Sequence, residues 1–103
     1  MKYEVNQERA CYLGLVVGDG EPSLYQVVVH NDDFTPMEFV VEVLEMFFYM
    51  ERGKAIEVML NAHVNGNATC GCYTKEVAET KIIKITEHAT TREHPLVFSM
   101  ELM

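Results

Sequence analysis

The segment Asn31-Asp32-Asp33-Phe34-Thr35-Pro36-Met37-Glu38 constrains this chain more than any other. It joins a β-rich run, Leu24 to His30, to an apolar helical pattern that starts at Met37. Thr35 reads as an N-cap and Pro36 as the first helical residue, with Glu38 completing a capping box. A strand is therefore expected to turn sharply into a rigid helix start, with Asn31, Asp32 and Asp33 held just outside it. Asx-turns and the helix dipole give one account of these residues. The other is functional. Two consecutive carboxylates and an amide are more acceptors than the turn needs, and their fixed placement suits a cation.

Charge points the same way. The 103-residue chain carries a net charge of −8, which disfavours nucleic acid and anionic membrane surfaces and fits a cationic or amine-bearing partner. Hydrophobic residues make up 49%, enough for one small core. The cysteines Cys11, Cys70 and Cys72 are odd in number, which does not read as a disulfide framework. Met1 to Arg9 is polar and unlike a secretory leader, and Ala10 to Val17 is too short to span a bilayer. A cytoplasmic location is the expectation.

Residues 1–22 read as an N-terminal arm ending in the turn-rich linker Gly18-Asp19-Gly20-Glu21-Pro22, and residues 23–103 as the folded domain. Ala10 to Val17 fits either an extra strand or a segment docked on a neighbour. The spacing predicts a strand over Leu24 to His30, then a helix from Met37 to Met50 with Glu38, Glu42 and Glu45 on its one wet stripe. A second helix is expected over Lys54 to Val64, with Ile56, Met59, Leu60 and His63 on one face and Asn65-Gly66 as its stop. Asn67 to Tyr73 reads as a strand. Thr74 is expected to cap a helix from Lys75 to about Ala89 with Ala78, Ile82 and Ile85 inward, and Leu96 to Leu102 as the last strand. The order β-α-α-β-α-β predicts an α+β fold, a two-layer sandwich with three helices on one side of a three-stranded antiparallel sheet.

His63 is the second informative residue. It is either a partly buried core histidine or a group that meets the Asn31–Asp33 turn. The short link between the first two helices suggests a hairpin, which would bring the end of one near the start of the other. Asn31, Asp33 and His63 would then offer three acceptors to the three donors of a primary ammonium. Met37 and Met59 would flank them as adaptable apolar neighbours. Neither a metal site nor a cofactor is expected, because the spacing matches no metal motif and no glycine-rich phosphate loop is visible. Cys70 and Cys72, two apart on a strand, are expected on one face as small buried hydrophobes. An acid/base enzyme built on Asp33 and His63 is the alternative from another class.

These residues also resemble a known family. Val29-His30-Asn31-Asp32-Asp33-Phe34-Thr35-Pro36-Met37-Glu38-Phe39-Val40 is similar to the signature of ClpS, the bacterial adaptor of the ClpA-containing AAA+ protease. Met59-Leu60-Asn61-Ala62-His63-Val64-Asn65-Gly66 is similar to a second block, Glu76-Val77-Ala78-Glu79-Thr80-Lys81 to a third, and Glu93-His94-Pro95-Leu96 to a last. The blocks occur in the expected order from about Tyr25 onward. The resemblance implies an adaptor, not an enzyme, that binds N-degron proteins beginning with Leu, Phe, Tyr or Trp and delivers them to ClpA. It implies that Asn31, Asp33 and His63 hold the substrate's α-ammonium, with Asp32 and Thr35 beside them in the motif. Met37 would gate the side-chain pocket, and Val40, Met59, Ala62 and Leu96 would line it. Glu76 and Lys81 would contact the ClpA N-terminal domain. Phe34 stands where the family usually has Tyr, His30 where an aliphatic residue is common, and Asn61-Ala62 where two small apolar residues are common. A ClpS-like protein that binds a different partner, or only the unfoldase, is the rival within the resemblance.

Overall fold

The computed structural model describes residues 23–103. The expected arm at 1–22, and with it Cys11 and the Ala10–Val17 segment, lies outside the described residues. The described chain runs β1 (Leu24–His30), α1 (Met37–Phe48), α2 (Arg52–Asn65), β2 (Asn67–Thr74), α3 (Lys75–Thr91) and β3 (Val97–Leu102). The strands form one antiparallel sheet in the order β2-β1-β3. Val27 and Val29 of β1 share a core with Phe39, Val43 and Leu44 of α1, Val58 and Met59 of α2, and Ala78 and Ile85 of α3. This is the expected two-layer α+β sandwich with the helices on one side.

Local chemistry moved several boundaries. Pro36, not Thr35, occupies the N-cap: its ψ of 141° is extended, the helix begins at Met37, and no side chain caps it. The expected capping box is absent, because Thr35 donates its hydroxyl to Asp32 at 2.7 Å and Glu38 pairs with Arg52 at 2.6 Å. α1 stops at Phe48 rather than Met50. Tyr49 turns left-handed at φ 55°, and the amides of Tyr49 and Met50 both fold back on the Leu44 carbonyl. α2 starts two residues earlier than expected, behind Glu51. Its buried face is Ala55, Val58, Met59 and Ala62, while Leu60 and His63 are exposed. Ala55 and Ala62, not the larger Leu60, thus face the core. Thr74 does precede α3 in an extended conformation, but its side chain makes no capping bond.

The two cysteines of β2 do not share a face. Val27 is opposite Gly71 and Val28 opposite Thr69, so Cys70 is the extra residue of a β-bulge. Cys70 enters the core. Cys72 lies across from Gln26, whose side chain takes the Thr69 hydroxyl at 3.0 Å on the opposite face. The inserted residue reverses the alternation that spacing alone implies.

Candidate functional site

The site lies where β1 ends. The amide of Asn31 donates to the Gly66 carbonyl at 2.9 Å, and His30 pairs with Asn67 at the start of β2. Gly66 closes α2 in a left-handed conformation (φ 93°), with its own amide on Ala62 at 2.8 Å. Such a φ favours glycine. The last turn of α2, which carries His63, is therefore pinned to the first residue of the polar turn. The helical hairpin expected from sequence contributes, but the antiparallel entry into β2 is what sets this contact.

The turn itself is organised by Asp32. One carboxylate oxygen accepts the amides of Phe34 at 2.8 Å and Thr35 at 2.7 Å, and the other accepts the Thr35 hydroxyl. Asp32 thus spends its acceptors inside the turn, and Thr35 spends its donor there. Asn31 and Asp33 are exposed. His63 is exposed too, which excludes the core-histidine reading.

A pocket of about 160 Å³ opens at this point. Every residue of the expected substrate site borders it: Asn31, Asp32, Asp33 and Thr35 from the turn, Met37 and Val40 from α1, Met59, Ala62 and His63 from α2, and Leu96 before β3. Val40, Met59, Ala62 and Leu96 are buried and form an apolar wall, and Met37 stands half in solvent at 46% exposure. Polar acceptors therefore meet an apolar recess at one place. Sequence reasoning missed Val29 and His30, which also line the pocket. The signal was available: both directly precede Asn31, at the end of the central strand. Among the described residues no group of three or more His, Cys, Asp or Glu side chains is arranged to hold a metal ion.

The two residues expected to contact a partner differ in setting. Glu76 is exposed on α3. Lys81 is half-buried: its ammonium donates to the Phe47 carbonyl at 2.7 Å and lies 5.1–5.4 Å from the ring centres of Phe48, Tyr49 and Tyr73. Burial, and next the neighbouring Lys84, hold this ammonium below the ordinary lysine range. Lys81 closes the last turn of α1, where a helix leaves carbonyls unpaired. Both residues border a second, shallow depression with Met46, Tyr49, Thr80 and Lys84, which shares no residue with the first pocket.

Residues 20–99 match the family model described as ATP-dependent Clp protease adaptor protein ClpS. The chain belongs to the ClpS family. It is 52% identical over 80 residues to the ATP-dependent Clp protease adapter protein ClpS of Vibrio atlanticus (strain LGP32), covering 78% of this chain and 76% of that one. The same identity and coverage hold for the ClpS of Vibrio cholerae serotype O1 (strain M66-2). Among solved structures it is similar to Agrobacterium tumefaciens ClpS2 bound to L-phenylalaninamide, with a TM-score of 0.78, 37% identity, and coverage of 81% of this chain and 100% of that one. ClpS proteins are adaptors of the Clp protease, not a family of enzymes. No helix among the described residues is long and apolar enough to cross a membrane.

Proposed function

We propose that this ClpS-family chain binds the free N-terminus of proteins beginning with Leu, Phe, Tyr or Trp and delivers them to the N-terminal domain of ClpA, in the cytoplasm. The observation that carries the reading is the meeting of Asn31, Asp33 and His63 with an apolar recess in one pocket. An α-ammonium has three donors, and an amide oxygen, a carboxylate and a neutral imidazole nitrogen supply three acceptors. The recess, about 160 Å³, suits one side chain, since a cavity of about 150 Å³ holds a benzene ring. The related ClpS2 is bound to L-phenylalaninamide, a molecule with a free α-ammonium and an aromatic side chain. Asp32 and Thr35 act here by holding the turn, and Met37 narrows the mouth against side chains branched at Cβ. Glu76 and Lys81, which border the separate depression on α3, are the proposed ClpA contacts.

The size of the effect follows from the same groups. Burying a Leu or Phe side chain contributes about 1.5–3 kcal/mol, and each hydrogen bond to the charged amine a similar amount. After the costs of association, a dissociation constant near micromolar follows. The test is a binding titration with peptides that differ only in their first residue, each with a free and an acetylated amine. Free Leu, Phe, Tyr and Trp peptides are expected to bind, while Gly and Asp peptides and all acetylated forms are not. Equal binding of the free and acetylated Leu peptides would refute the ammonium site.

A further inference from the structure

Phe34 is 79% exposed and takes no part in the core. Its two neighbours in the chain, Asp33 and Thr35, both line the pocket. Its backbone is held, because Asp32 accepts the amides of Phe34 and Thr35 at 2.8 and 2.7 Å. A large aromatic ring is thus displayed on a fixed turn at the mouth of the pocket, and packing gives no reason for it. Two carboxylates, Asp32 and Asp33, directly precede it, while Glu38 further on is paired with Arg52.

We propose that Phe34 is the contact for the second residue of a bound peptide and that it favours a flat side chain there, arginine or an aromatic. The proposal rests on the reading of the pocket as the seat of the first residue. With the α-ammonium at Asn31, Asp33 and His63 and the first side chain in the recess, the peptide leaves across the mouth. Its second Cα lies ~3.8 Å beyond the first, within reach of the part of the mouth that Asp33 and Thr35 border, and Phe34 stands between those two in the chain. An aromatic side chain there gains an edge-to-face or offset contact with the ring. A guanidinium gains a cation–π contact and the field of the nearby carboxylates. An acidic second residue meets the same carboxylates and is disfavoured.

The experiment is calorimetric titration of wild type, Phe34→Ala and Phe34→Tyr with leucinamide and with Leu-Gly, Leu-Arg, Leu-Phe and Leu-Asp peptides of otherwise identical sequence. In wild type, the Leu-Arg and Leu-Phe peptides are expected to bind about five- to tenfold more tightly than Leu-Gly. Phe34→Ala should erase that gap and leave leucinamide affinity in place, and Phe34→Tyr should retain the gap. The ring is exposed, so matching thermal unfolding of Phe34→Ala and wild type is part of the expected result. No gap in wild type, or a gap that survives Phe34→Ala, overturns the proposal. In those cases normal leucinamide binding leaves the pocket reading standing. Absence of leucinamide binding to wild type sinks that reading and the second-residue contact with it.

Discussion

The amide of Asn31 donates to the carbonyl of Gly66 at 2.9 Å, and the amide of Gly66 donates to Ala62 at 2.8 Å. A path of two backbone hydrogen bonds thus links the first acceptor at the pocket mouth to the helical turn that carries His63. The joint depends on Gly66, whose φ of 93° a side chain rarely adopts, although the space beside it is open. Gly66→Ala should therefore destabilise the fold by about 1–2 kcal/mol and weaken Leu-peptide binding by loosening the turn. Gly53→Ala is the matched control. It lies in α2 with no positive φ and open space around it, and should stabilise by about 0.5–1 kcal/mol. Urea unfolding of both variants measures the contrast, and equal effects of like sign would refute it.

Met37 is 46% exposed at the first position of α1 and borders the pocket. Shortening it should widen the mouth without opening the core. Met37→Ala is expected to admit peptides beginning with Ile or Val while keeping Leu. Competition binding against a labelled Leu peptide measures this, and an unchanged preference removes Met37 from the gate.

Lys81 and Glu76 should separate stability from partner binding. Lys81→Ala loses a bond to the Phe47 carbonyl and contacts to three rings, and should cost about 1–3 kcal/mol. Glu76→Lys, on an exposed residue, should change stability by less than about 0.5 kcal/mol and still weaken binding to the ClpA N-terminal domain. Peptide affinity should survive Glu76→Lys. Thermal unfolding and a pull-down with the isolated ClpA domain read the two effects. A Glu76→Lys protein that binds ClpA normally would move the contact elsewhere.

Cys70 should make alkaline stability steeper. Burial pushes its thiol up to about 12, against the smaller opposing effects of the Val29 backbone and Lys54. An unfolded thiol ionises near ~8.5. The folded state keeps the proton longer, so this contribution is complete below the unfolded value and is lost as pH rises toward the folded one. Across that window it should fall by up to ~1.4 kcal/mol per pH unit. Cys70→Ala should show a flatter alkaline limb in urea unfolding. Peptide mapping after iodoacetamide at pH ~8 should find native Cys70 unmodified. Rapid native alkylation would contradict the burial argument.

The element order was legible in the sequence because it rests on local rules. β-branched residues from Val27 to Val29, the proline before Met37 and the glycine after Asn65 each act within a few residues. Their effects do not depend on what packs against them. The candidate pocket was legible for a different reason: the family's motif blocks name residues that are far apart in the chain. The capping box failed because Thr35 and Glu38 had better partners, Asp32 nearby and Arg52 on another helix. The placing of Cys70 and Cys72 on one face failed because a single inserted residue reverses strand alternation, and only pairing with β1 reveals it.

By itself the sequence determined which residue types were available: acceptors at Asn31, Asp33 and His63, small residues for the buried face of α2, and a glycine able to turn at position 66. The tertiary structure decided how they are used. Pairing of β2 with β1 brought Gly66 to Asn31, and so His63 to the same pocket as Asp33. Packing of α3 against α1 made Lys81, which the resemblance gives only as a partner contact, the donor that closes a helix. Both outcomes depend on contacts between segments distant in sequence, whose formation requires the whole sheet and its helices at once.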